Sequence, residues 1–181
     1  MDERKRRRDT LRRTTGAAHH SLEAGMGDLS DPGAYRNYVA GLLAFRAVAE
    51  PFVAAWRRPD RWGEWRPTRI ATDLAVDAIA LDVEPRMVRW SAEPRTAAEA
   101  IGFLYVLEGS ALGARVLLRN VRPSPRGESG QRHLRRLAGS LGNWRAFVER
   151  LESEPDLDLD ETAKSASRAF ELAAQAMRGH A

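Results

Sequence analysis

Arg12-Arg13-Thr14-Thr15-Gly16-Ala17-Ala18-His19-His20-Ser21-Leu22-Glu23 reads as one helix. At about 100° per residue, Arg12, His19 and Glu23 share a narrow stripe, with Thr15 beside it and an apolar stripe of Leu11, Ala18 and Leu22 alongside. His19 therefore sits at the border of a core-facing surface, with a cation two turns before it and a carboxylate one turn after. Two roles fit that position: a boundary histidine of the core, or an axial ligand to a metal.

Outward from this stretch the chain keeps to helical signals. The basic residues at 4–8, with Arg12 and Arg13, suit a nucleic-acid arm or a solvated first helical turn. No aromatic residue is interleaved to stack on bases, which favours the solvated turn. Residues 1–9 are read as a basic extension without fixed structure, and no nucleic-acid partner is expected. Gly25-Met26-Gly27 is a helix stop. Ser30-Asp31-Pro32 is a cap with proline near the first helical position, and apolar residues from Tyr35 to Val48 carry a helical period. Pro51 is expected to kink or interrupt that helix before Phe52–Trp56 continues it.

Residues 57–67 form a loop whose two tryptophans should fold back onto the body, and a helix follows over about Ile70–Leu81. After a loop with Pro85 and Pro94, Thr96 and Glu99 make a capping box for a helix reaching about Asn120. Val121–Gly130, with two prolines and two glycines, is a surface loop. Helical patterns occupy about 131–153 and 160–178, and the acidic run Glu152–Glu161 between them is a loop and cap. There is no sustained alternation and no repeat, so the reading is all-α: one domain over residues 1–181, built as a bundle of six to eight helices.

At 181 residues the chain can bury one core and is short for two. The absence of cysteine excludes disulfides and thiolate chemistry and fits the cytoplasm. No apolar run looks long enough to span a bilayer, and no apolar segment follows the charged start as in a secretory signal, so no membrane is expected. There is no Glu-x-x-His pair, which argues against a di-iron carboxylate bundle. His133, in a basic stretch, and His180, at the frayed end, are read as surface histidines. Glu108 is read as a structural carboxylate inside the bundle, and Arg115, Arg119 and Arg145 as solvated.

The stretch from Ile101 to Val116 is unusual, because three interior glycines each cost a helix about 0.5–1 kcal/mol relative to alanine. Gly102, Gly109 and Gly113 fall within about 40° of one another, with Val106 and Val116 in the same sector. One face is nearly bare backbone, which suits either close helix packing or a large flat ligand. A histidine on one side and a glycine slab on the other is a way to sandwich a porphyrin.

Leu11-Arg12-x-x-Thr15-x-x-x-His19-x-x-Leu22-Glu23, together with Leu104-Tyr105-Val106-Leu107-Glu108-Gly109-Ser110-x-Leu112-Gly113, resembles the haem oxygenase family, in particular its bacterial, bacteriophytochrome-associated branch. Thr72-Asp73-Leu74, Trp144-Arg145-Ala146-Phe147 and Phe170 match that branch more weakly. The resemblance implies a haem-oxygenase-like fold and an enzyme for which haem is both cofactor and substrate. Dioxygen and a reductant would open the ring to biliverdin, carbon monoxide and ferrous iron. It implies His19 as the iron ligand, Glu23 as the group polarising its imidazole, and Arg12 as a propionate partner. Gly109, Gly113 and Val106 would lie against the haem, with Gly109, Ser110 and Gly113 forming the catalytic surface. The expected partners are haem, O2, a ferredoxin or flavoprotein reductase as electron donor, and a bacteriophytochrome.

The chain departs from the family twice. Ser110 stands where many members carry an aspartate that organises water, and Ala114 where many have a second glycine. These departures motivate an alternative, a haem- or bilin-binding carrier or sensor without turnover. A further alternative is an all-α interaction module in which His19 and the glycines only pack.

Overall fold

The computed structural model describes residues 6–90, 93–121 and 130–179. Their chain forms seven α-helices: α1 Arg6–Met26, α2 Pro32–Ala55, α3 Ala71–Ala80, α4 Ala97–Asn120, α5 Arg132–Gly139, α6 Leu141–Ser153 and α7 Leu159–Arg178, with a short 3-10 turn at Asp60–Trp62. No strand occurs among the described residues.

The punctuation residues act as their chemistry dictates. Gly27 takes φ 70° just past α1. Asp31 Oδ2 accepts from Ala34 N (2.7 Å), and Thr96 Oγ1 from Glu99 N (3.1 Å). The Glu99 carboxylate reaches back one residue beyond the usual capping box, to Arg95 N (2.7 Å). Asp158 caps α7 by accepting from Glu161 N (2.9 Å).

Three expectations are corrected here. Residues 6–9 are not an extension but the first turn of α1. The backbone N–H groups of Arg7 and Arg8 donate to the Glu152 carboxylate (3.1 and 2.9 Å), while the Arg7 guanidinium bonds the carbonyls of Leu151 and Glu154. A carboxylate from α6 thus satisfies the free donors and the positive dipole end of α1. Residues 1–5, the 122–129 part of the Val121–Gly130 loop, and His180 lie outside the described residues. Secondly, α2 runs unbroken through Pro51. Proline frees the carbonyl of Ala47, four residues back, and both residues are exposed, so water can satisfy it. Thirdly, the 131–153 pattern is two helices that break at Ser140, whose backbone N–H and hydroxyl both donate to Leu137 O (2.9 and 2.8 Å).

Packing centres on α4 and α7. Helix α7 packs against α1, α2 and α4, while α4 also meets α2, α5 and α6. The α4–α7 crossing is close because Gly102 lacks a side chain: a Cβ there would sit 2.6 Å from Thr162 O and 2.8 Å from Ala166 N. Gly41 does the same between α2 and Met177. One of the three slab glycines is therefore explained by helix packing. Gly102→Ala should cost about 1–3 kcal/mol through backbone displacement. Gly113→Ala, with nothing within 4 Å of its Cβ, should instead stabilise by up to about 1 kcal/mol. Urea unfolding of the two variants checks the contrast, and equal effects would contradict it.

By length and hydropathy α2 and α4 could each cross a membrane, contrary to the expectation from the sequence. They are core helices of this bundle, with 67% and 50% of their apolar windows buried, and that burial accounts for their composition. Trp62 and Trp65 fold inward as expected, Trp62 Nε1 donating to the buried Glu154 (2.8 Å) and Trp65 Nε1 to Asn143 O (3.3 Å).

Candidate functional site

Helix α1 presents His19 at a boundary. Its side chain is 54% exposed, and Nδ1 lies 3.4 Å from Glu23 Oε2. The ring stands edge-on to Phe170 of α7, centroids 5.4 Å apart. Nε2, on the far side of the imidazole from Glu23, is the ring nitrogen turned away from that carboxylate. One turn earlier, Thr15 is buried and donates to Leu11 O (2.8 Å), while Arg12 is exposed. Tyr105 of α4 lies against Thr15 and within the field of Arg12 and Arg8. Burial pushes its phenol above the ordinary range, against the pull of Thr15 and those arginines. The fold thus joins Arg12, Thr15 and Tyr105 into one group, and His19, Glu23 and Phe170 into a second one turn along. His20 is exposed beside them.

On α4 the remaining slab residues separate by depth. Val106 is buried, and Gly109 has Trp144 as its neighbour, with a Cβ reaching 3.7 Å from the indole. Gly113 is exposed between Leu112 and Val116, which are also exposed. Ala114 faces the core, so its methyl stays off that surface. Ser110 is half-buried and turned inward: its hydroxyl donates to Leu107 O (2.6 Å) and accepts from Arg46 Nη2 (2.7 Å).

Behind Ser110 lies a buried polar cluster. Arg46 is 1% exposed; Nη2 also donates to Leu107 O (2.9 Å), and Nη1 lies 3.6 Å from Glu50 Oε1. Glu50 caps α3 by accepting from Ile70 N and Ala71 N (2.8 and 3.1 Å). Glu108 is the internal structural carboxylate expected, bonded by Thr68 N (2.6 Å), Thr68 Oγ1 (2.9 Å) and Asn143 Nδ2 (2.9 Å). Burial nevertheless pushes it above the usual carboxylate range. An arginine and a glutamate four residues apart inside the apolar run Leu42–Glu50 were the visible signal for this cluster.

His133 is corrected from surface to core: it is fully buried, its Nδ1 2.7 Å from Asp77 Oδ2. Asp77 also accepts from His133 N (2.9 Å) and Arg132 N (3.1 Å), and Tyr35 and Tyr38 stack over the imidazole. Burial lowers the His133 pKa despite Asp77; for Asp77, burial is outweighed by its hydrogen bonds, which hold it below the ordinary carboxylate range. The ring stays neutral while the unfolded chain takes up a proton below about pH 6.5, so this dyad's stabilisation falls as pH drops through that point. The acid limb from this group should approach about 1.4 kcal/mol per pH unit at most. His133→Asn, which keeps a donor for Asp77 without a titrating ring, should flatten it between about pH 6.5 and 5 in urea titrations. An unchanged slope would assign the limb to other groups.

Among the described residues no three His, Asp or Glu side chains cluster as a metal cage. A haem iron brings most of its donors with it, so one imidazole can be enough to hold it. Two features fit that group: an imidazole with the Glu23 carboxylate 3.4 Å from Nδ1, and a glycine surface at Gly113 that no neighbouring element closes among the described residues. No model of a known protein family matches the chain, and no curated protein matches it in sequence.

Proposed function

We propose that this chain is a haem oxygenase of the biliverdin-producing kind. The observation that carries the reading is His19, half-exposed with Glu23 Oε2 3.4 Å from its Nδ1, in a chain whose second glycine-rich helix leaves Gly113 unpacked. Bound haem would itself supply the oxidative chemistry, with O2 and external electrons opening its ring to biliverdin, carbon monoxide and ferrous iron.

The protein's share is binding and orientation. His19 Nε2 would hold the iron, with Glu23 beside Nδ1 to polarise the ring and the Phe170 edge against the imidazole. Arg12 offers its guanidinium to a propionate, with Tyr105 beside it. Gly113 leaves its stretch of α4 uncovered, Gly109 lies under the Trp144 indole, and Val106 supplies an apolar wall. Ser110 spends its proton on Leu107 O, so towards a water it acts as an acceptor only, oriented by Arg46. An electron donor of ferredoxin or flavoprotein type and delivery of product to a bacteriophytochrome belong to this proposal.

The inward turn of Ser110 favours one second reading, a carrier or sensor that holds haem or a bilin without opening it. Optical titration with hemin, then a reductase system in air, separates the two. A Soret band that decays into biliverdin absorption supports the oxygenase. A band that persists supports the carrier, and no band overturns both.

A further inference from the structure

Helices α1 and α4 each pass from covered to bare within one turn. On α1, Thr15 is buried and lies against Tyr105, while the ring of His19, four residues on, is half-exposed. On α4, Gly109 is covered, whereas Gly113, four residues on, has nothing within 4 Å of the place a Cβ would take among the described residues. The cover over Gly109 is the indole of Trp144, whose Cζ3 and Cη2 edge stands 3.7 and 3.8 Å from its Cβ position. The missing side chain of Gly109 therefore makes room for the indole. Only the stretch around Gly113, flanked by exposed Leu112 and Val116, is left for a flat ligand.

The indole is fixed from two sides. Its ring stacks on Phe147, with centroids 5.8 Å apart and planes at 27°, and tilts against Tyr105 at 5.8 Å. Phe147 is fully buried and leans in turn on Trp62 and Trp65, 6.2 and 5.9 Å away, so the core stands behind the wall. Trp144 belongs to the first turn of α6. Its neighbour Asn143 ties that turn to α4, donating from Nδ2 to the buried Glu108 carboxylate (2.9 Å), and to the preceding loop at Arg66 O (3.0 Å). Moving the indole would break two favourable ring pairs and uncover apolar surface. Tyr105, touching both Trp144 and Thr15, carries the same wall across to α1.

We propose that Trp144 is the inner wall of the haem site: its indole edge meets the rim of the bound ring, keeps the ring on the Gly113 stretch of α4, and fixes how it is turned about the His19–iron axis. The inference rests on the haem reading. One imidazole bond leaves a ring free to turn, so the angle is set by contacts at its rim. Leu112 and Val116, aliphatic and about half-exposed, offer a softer boundary on the other side. Trp144 is thus a positioning residue that seats the ring.

Hemin titration of the full chain, followed by Soret absorption and Soret circular dichroism, tests this in wild type, Trp144→Leu and Trp144→Phe. The dichroism reads how the ring sits among nearby aromatic side chains and needs no turnover. Trp144→Leu is expected to keep the His19-ligated absorption spectrum, lose about fivefold in hemin affinity, and show an altered Soret dichroism. Trp144→Phe keeps a ring against Phe147 but lacks the outer edge of the indole, so it should show the same changes at smaller size. That milder variant carries the test if the leucine variant folds poorly. A wild-type Soret band whose affinity and dichroism are unchanged in the folded variants would overturn the wall alone, leaving Trp144 as a packing residue. No Soret band in wild type would overturn the haem reading and the wall together.

Discussion

Arg46→Met should destabilise the fold by about 3–5 kcal/mol, a large part of a typical total of about 5–15 kcal/mol. The side chain is 1% exposed and is the cation facing two buried carboxylates, Glu50 at 3.6 Å and Glu108. Burial lowers its pKa, and those two acids offset part of that. Methionine fills much of the volume but takes from Glu50 and Glu108 the buried cation they share, and it removes the donors that hold Ser110 Oγ and Leu107 O. Glu50→Gln in the same background should recover part of the loss, because the penalty comes from the stranded charge. Urea unfolding of the two single variants and the double closes the cycle. Strict additivity would show that the ion pair is not the source of the effect.

His19→Ala should abolish axial imidazole ligation of bound hemin, read as loss of the low-spin Soret position and of the usual ferrous–CO spectrum. The apo fold should be unaffected to within about 0.5 kcal/mol, since the ring is half-exposed and alanine is a good helix former. Glu23→Gln should keep the ligand while shifting that spectrum, because the partner of Nδ1 changes from a carboxylate to an amide. An unchanged CO spectrum in His19→Ala would assign the iron elsewhere. Imidazole added to the variant should restore the band if the vacated space is the ligand position.

The helix boundaries were legible because their signals are local. Asp31, Thr96 and Gly27 act within four residues of themselves, and each does what its side chain permits. The break at Ser140 was not legible. Leu134, Leu137, Leu141, Trp144, Val148 and Leu151 keep one apolar stripe straight through it, and only the separate packing of α5 and α6 on α4 reveals the turn. Pro51 does not interrupt α2, because the rule is local while its cost depends on whether the freed carbonyl meets water.

Within the candidate site, the His19–Glu23 pair follows from helix spacing alone. Which glycine packs and which is open does not, since Gly102 and Gly113 share a face and differ only in what α7 covers. His133 was placed on the surface because its sequence neighbours are basic, whereas its burial is decided by Asp77, fifty-six residues away.

Helix α7 is translated after α1 to α6, yet α1, α2 and α4 all lie against it. On the ribosome, the faces of α1, α2 and α4 that meet α7 must wait for a partner made only when residues 159–178 are translated. Before then the nascent chain is a set of amphipathic helices with unshielded surfaces, prone to capture by chaperones or by other chains. This bundle is therefore expected to fold only after α7 is made, and a ribosome stalled before residue 159 should display a protease-sensitive chain.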